Sequence, residues 1–182
     1  MDKKIIQIYD KRFEPFIEFV KIDAAIAQMA DKMNRELRDH NPLFIPILNG
    51  AFMFAADLFK KLDFPCEISF VKMASYLGTT STEVVKELIG FDPENIKGRT
   101  VVLVEDIIDS GLTVEKLLKQ LNQSSVKEVK IATLLMKPDA FKGSYRVDYV
   151  GLEIPNDFIV GYGLDYNQQG RNYKDIYKIV EP

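Results

Sequence analysis

Val101-Val102-Leu103-Val104-Glu105-Asp106-Ile107-Ile108-Asp109-Ser110-Gly111-Leu112-Thr113 is the stretch that decides the fold. Its four leading aliphatics show no polar alternation, as expected of a strand buried on both faces inside a parallel sheet. Two adjacent carboxylates, Glu105 and Asp106, end that run, and Asp109 follows shortly after. Ser110-Gly111-Leu112-Thr113 then opens an amphipathic helix carrying Val114, Leu117, Leu118 and Leu121 on one face. A strand that passes through a glycine turn into a helix N-terminus makes an anion site. The first-turn amides have no intrahelical partner, the helix dipole is positive there, and Ser110 and Thr113 add hydroxyl donors. Acids therefore sit beside a phosphate cradle. A sugar phosphate uses both, its hydroxyls meeting the carboxylates and its phosphate meeting the loop.

Two commoner phosphate motifs are absent. No Lys follows Gly111, as a P-loop requires, and Gly111 stands alone where a dinucleotide fingerprint needs three spaced glycines. A buried strand with a merely solvated acidic turn is the plainer alternative, but it gives no reason for the Ser-Gly-x-Thr that follows. The order of the whole stretch resembles the diphosphoribosyl-binding signature of type I phosphoribosyltransferases: an aliphatic run, an acid pair, two aliphatics, then Asp-Ser-Gly-x-Thr.

Working outward, the chain of 182 residues fits a single domain with its core at about 40–165. A chain of this size buries roughly 70% of its unfolded surface and needs no staples. With 24 Lys and Arg against 27 Asp and Glu, the net charge of −3 gives no case for nucleic-acid binding. An acidic chain that binds a phosphorylated sugar is consistent if Mg²⁺ arrives with the ligand. Cys66, the one cysteine, excludes an internal disulfide and reads as a strand residue in a reducing compartment. His40, the one histidine, reads as a solvated residue after a helix, which leaves a zinc site or a Ser-His-Asp triad without its histidine. No signal peptide or spanning segment is visible, so a cytoplasmic protein without a membrane partner is expected.

The first twenty residues are too apolar for a free tail and are expected to pack on the body or across a subunit boundary. Asp23 is placed as the cap of a helix to about Arg38, with Ile26, Met29, Ala30, Met33 and Leu37 on its core face. Leu43–Leu48 reads as a strand, Asn49-Gly50 as a turn, 51–62 as a helix and 65–72 as a strand. From Met73 to Lys86 the chain turns polar, with Ser75, Tyr76 and a Gly-Thr-Thr-Ser-Thr run, and reads as a mobile hairpin or lid. Strands are expected at 126–135, 147–152, 158–160 and 176–180. Strands alternating with helices imply an α/β fold with a mostly parallel central sheet flanked by helices. In such sheets ligands bind at the carboxyl ends of the strands. Asn49, Ser75, Glu105, Asp109 and Lys137 all fall just past predicted strand ends and so converge on one edge.

Lys137, together with Val150-Gly151-Leu152-Glu153-Ile154-Pro155, Phe158-Ile159-Val160-Gly161-Tyr162-Gly163-Leu164-Asp165-Tyr166-Asn167 and Arg171, extends the resemblance to the hypoxanthine-guanine phosphoribosyltransferases. That resemblance implies a small hood formed by the terminal segments. It implies transfer of phosphoribosyl from phosphoribosyl diphosphate to N9 of a 6-oxopurine, with Mg²⁺. It also implies roles. Glu105 and Asp106 hold the ribose hydroxyls, feel the Mg²⁺ and favour positive charge on the sugar. Asp109 is the general base at purine N7, and Asp109, Ser110, Gly111, Leu112 and Thr113 wrap the 5-phosphate. Lys137 donates to O6, Phe158 stacks on the purine, and the Ile159 backbone reads its edge. Asp165 orients the metal, and Arg171 contacts diphosphate. Leu48-Asn49-Gly50 matches the diphosphate loop, for which the family hallmark is a non-proline cis peptide. Ser75 and Tyr76 match the closing lid. Some members carry Lys where this chain has Asn49, which leaves backbone contacts to the diphosphate. A homodimer or homotetramer is expected. The competing readings are a regulator of the same fold, which would need a basic face, and a related transferase acting on another base. Lys137 argues against adenine, because a donor facing an amino group leaves both unpaired.

Overall fold

The aliphatic run becomes the buried interior of a central strand. A computed structural model describes residues 5–74, 86–89 and 93–180. Eleven strands are described: β1 (Ile6–Ile8), β2 (Lys11–Ile17), β3 (Leu43–Leu48), β4 (Glu67–Ile68), β5 (Val71–Ala74), β6 (Lys86–Ile89), β7 (Thr100–Ile108), β8 (Glu128–Met136), β9 (Tyr149–Glu153), β10 (Ile159–Val160) and β11 (Ile176–Ile179). The α-helices are α1 (Phe19–Glu36), α2 (Phe52–Phe59), α3 (Pro93–Ile96) and α4 (Leu112–Leu121).

The main sheet runs β6-β5-β3-β7-β8-β9, with the short β4 also paired to β3. β3, β4, β5, β7, β8 and β9 are parallel to their neighbours, and only β6 turns back antiparallel along β5. β7 lies in the middle, with Val101–Val104 at most 1% exposed, which is why its sequence lacks alternation. Val102 and Val104 face a core shared with α1 and α2, while Val101 and Leu103 face one shared with α4. On α1 the stripe Ile22, Ile26, Met29, Ala30, Met33 and Leu37 is buried. Each large side chain there contributes about 1.5–3 kcal/mol of burial, and Ile26→Ala would cost about 2–5 kcal/mol.

Several boundaries differ from the sequence reading. β7 does not stop at the acids but continues to Ile108, because β8 keeps pairing with it as far as Met136. α1 starts at Phe19, not at Asp23, and has no side-chain cap of its own. Its first amide donates instead to the Asp175 carboxylate at 2.8 Å, and Asp23 pairs with Lys61 at 2.7 Å. The strand expected at 65–72 is two pieces, β4 and β5, so Cys66 lies just before a strand.

Residues 6–17 join the C-terminal segment in a second, antiparallel sheet of order β1-β2-β11-β10. Ile6, Ile8, Phe13, Val160 and Tyr177 form its own small core. The N-terminal segment buries Ile6, Ile8, Phe13 and Ile17 within its own chain, while Ile5, Tyr9 and Val20 stay exposed. Pro15 has no amide to donate, and the register with β11 shifts beside it, at Ile176/Tyr177. Tyr162, 1% exposed, ties this sheet to the main body by donating from its hydroxyl to Asp57 on α2 at 2.5 Å.

Candidate active site

Glu105 and Asp106 are neighbours on an extended strand, so their side chains leave opposite faces of β7. Glu105 lines a cavity of about 80 Å³ with Ile107 to Val114, at the start of α4. It is 8% exposed, and its Oε2 has no protein partner among the described residues. Burial, and then Asp106, push its carboxyl well above the usual range. Asp106 lies on the other face, directly against Gly50. A Cβ at Gly50 would overlap the Asp106 carboxylate, so glycine is required for that approach. Burial raises the Asp106 carboxyl to about 6, offset by the Ile107 amide at 3.0 Å and by Arg171, and reinforced by Asp165. Carboxyls raised this far lose their charge easily, and a cation arriving beside either one would restore it.

Gly111 precedes α4 at φ 85°, a left-handed conformation open to glycine, and no side chain caps the helix. The first-turn amides therefore face the cavity that Asp109–Thr113 line. Tyr145 donates to the Gly111 carbonyl at 2.8 Å. Burial, with Glu105 and Glu115 nearby, pushes its hydroxyl up to about 12, so it stays a donor.

Lys137 follows β8 and is 8% exposed, yet its Nζ reaches the exposed Asp109 carboxylate at 2.8 Å. A donor and an acceptor thus stand side by side next to the phosphate cradle. Just before β10, Phe158 is 44% exposed. Phe13 at 6.2 Å and Tyr166 at 5.9 Å support its ring. The adjoining Ile159 is buried in β10.

The remaining pieces meet around the turn after β3. The Leu48–Asn49 peptide is cis, and Asn49 is exposed. A Cβ on Gly163, at φ 98°, would collide with the Gly50 carbonyl. Arg171 donates to the Gly163 carbonyl at 2.7 Å and pairs with Asp165 at 2.6 Å. The other Asp165 oxygen accepts the Gln168 amide at 2.7 Å. Loop 48–50, Asp106, Gly163, Asp165 and Arg171 are therefore one packed unit. Among the described residues no three metal-type side chains form a cage. Carboxylate oxygens such as those of Asp106 and Asp165 are hard donors of the kind that Mg²⁺ takes.

Ser75 and Tyr76 lie outside the described residues, as does most of the expected lid. Sequence reasoning missed Gly163, whose signal is a glycine two residues before the acid, and Tyr145. Nothing in the polar segment around Tyr145 distinguishes it from a surface tyrosine.

The sequence model for the phosphoribosyl transferase domain matches residues 19–167. The chain is similar to the hypoxanthine-guanine phosphoribosyltransferase of Bacillus subtilis, at 38% identity over 152 residues covering 84% of each chain. It is 36% identical over 158 residues to that of Mycobacterium tuberculosis, covering 84% of this chain and 78% of that one. A crystal structure of a hypoxanthine-guanine phosphoribosyltransferase from Bacillus anthracis superposes with a TM-score of 0.84 at 36% identity, covering 92% of this chain and 98% of that one.

Proposed function

This chain belongs to the hypoxanthine-guanine phosphoribosyltransferase family, and on that footing we propose that it transfers phosphoribosyl from phosphoribosyl diphosphate to N9 of a 6-oxopurine, releasing diphosphate. The observation that carries the choice of base is the Lys137–Asp109 pair at 2.8 Å beside the cradle. A 6-oxopurine presents an acceptor, O6, next to N7. Lys137 donates to the first, and Asp109 takes the proton from the second. Phe158 offers its exposed face to the ring, and the Ile159 backbone reads the far edge.

The 5-phosphate sits on the amides and hydroxyls of 109–113. As N9 bonds to the sugar carbon and the bond to diphosphate breaks, positive charge grows on the ribose. Glu105 and Asp106, when ionised, favour that charge. The proton leaves the purine for Asp109, and the electron pair of the broken bond leaves with diphosphate. Leu48, Asn49, Gly50 and Arg171 receive the diphosphate. Asp106, set against Gly50, with Asp165 and Glu105 would hold Mg²⁺, mainly through water. When bound, Mg²⁺ neutralises charge on the leaving diphosphate.

Among the described residues no helix is long and apolar enough to cross a membrane. A base panel tests the proposal. With phosphoribosyl diphosphate and Mg²⁺, hypoxanthine and guanine should give nucleotide and equimolar diphosphate, while adenine and uracil should give little. Equal turnover of adenine would contradict the role of Lys137.

A further inference from the structure

We propose that Tyr145 is a positioning residue for the 5-phosphate, acting through the peptide that joins Gly111 to Leu112. The proposal rests on the reading of 109–113 as the phosphate loop. The Tyr145 hydroxyl donates to the Gly111 carbonyl at 2.8 Å, and the same oxygen accepts the Glu115 amide at 3.1 Å. In a trans peptide the carbonyl and the following N–H point in opposite directions. Fixing the Gly111 carbonyl toward Tyr145 and α4 therefore aims the Leu112 N–H away from them, toward the cavity.

The geometry leaves little slack. A Cβ on Gly111 would come within 2.6 Å of the Tyr145 hydroxyl and 2.7 Å of the Phe141 ring, so both side chains rest directly on the glycine. Phe141 and Tyr145 meet edge to face at 5.3 Å. Their segment is tied down at its start, where the Phe141 amide donates to the Lys137 carbonyl at 3.1 Å. It is tied again where the Lys142 amide donates to the Ser110 carbonyl at 3.2 Å. One loop thus fixes both the lysine that faces the base and the peptide that faces the phosphate. A hydroxyl kept in its donor form, pressed on the one glycine of the phosphate loop, has a positional task that a surface tyrosine lacks.

Tyr145→Phe keeps the ring on Gly111 and removes only the donor. Calorimetry should compare wild type and variant with a 6-oxopurine nucleoside 5′-monophosphate and with the same nucleoside lacking phosphate. The variant should bind the monophosphate about 3–10-fold more weakly, the scale of one hydrogen bond, and the nucleoside unchanged. In turnover the KM for phosphoribosyl diphosphate should rise while kcat stays nearly constant. Equal losses for both ligands, or none, would overturn the proposal. If wild type itself fails to prefer the monophosphate, the phosphate-loop reading falls and Tyr145's role with it. A second measurement needs no variant. In wild type titrated with inorganic phosphate, the Leu112 amide resonance should move strongly, and an unmoved resonance would also overturn the proposal.

Discussion

The two sheets of this molecule carry the residues of the proposed site by different construction. The main sheet is parallel and centred on β7, whose Val101–Val104 are buried on both faces. Glu105 and Asp106 sit within β7 itself, and Asp109 and Lys137 follow the ends of β7 and β8 on turns fixed by backbone pairing, as where the Lys137 amide donates to the Ile108 carbonyl at 3.0 Å. The second sheet is antiparallel, and β10 in it is two residues long. It carries Phe158, half exposed and held by aromatic contacts rather than by a deep core. Placement on the parallel sheet is rigid, as acid and phosphate chemistry demands. Placement on the hood asks only for a flat apolar face. Damage to the first should therefore abolish chemistry, and damage to the second should loosen binding of the base.

The largest effect should come from Asp109→Asn. If Asp109 accepts the purine proton, kcat should fall on the order of 10²-fold or more, while binding of phosphoribosyl diphosphate changes little. Single-turnover rates with a separate ligand titration check it, and near-normal chemistry would leave Asp109 as a loop former only. Next is Lys137→Gln, which should cost about 1.5–3 kcal/mol of transition-state binding for hypoxanthine. It should also narrow the gap to adenine, because an amide offers an acceptor. The measurement is kcat/KM for the two bases. On the hood side, Phe158→Leu should lose about 0.5–1.5 kcal/mol, seen as a higher KM for the base with kcat nearly unchanged. A collapse of kcat there would erase the contrast between the sheets.

The smallest effect concerns stability without ligand. The Asp106 carboxyl titrates at about 6 in the folded protein, above its ordinary 3.8. A carboxyl raised on folding contributes most stability below the lower value and loses it as pH climbs through the higher one. Between about pH 4 and 6 the free protein should lose stability from this group, and the raised Glu105 adds to the loss in the same direction. Asp106→Asn can keep the contact with the Ile107 amide and removes the charge. It should raise Tm at pH 8 by a few degrees and at pH 4 hardly at all, as read by thermal melts at the two values.

The contrast between the sheets also separates what could be read from the sequence from what could not. β3 was legible to the residue, because a strand buried on both faces is an aliphatic run. β7 was legible except for its end, since its acids looked like a terminus while pairing with β8 continued past them. The meeting of Asp109 and Lys137 followed from the rule for strand ends. The hood strands β1 and β2 were not legible. Lys11–Ile17 mixes charges, aromatics and Pro15, and its partner β11 lies some 160 positions away in the chain. The cap of α1 was missed for the same reason, since Asp175 supplies it from the far end. Local pattern reports burial and turn chemistry. It does not report which distant segment completes a sheet or a cap.

The central claim is that the parallel sheet grips the sugar phosphate and the hood covers the base. Hydrogen exchange read by mass spectrometry tests it most directly, in two steps. Phosphoribosyl diphosphate with Mg²⁺ should slow exchange first in peptides covering 107–114. Adding an unreactive 6-oxopurine analogue should then slow exchange around 158–160 and 137–141. Protection of the hood by the sugar diphosphate alone, with 107–114 unchanged, would contradict the account.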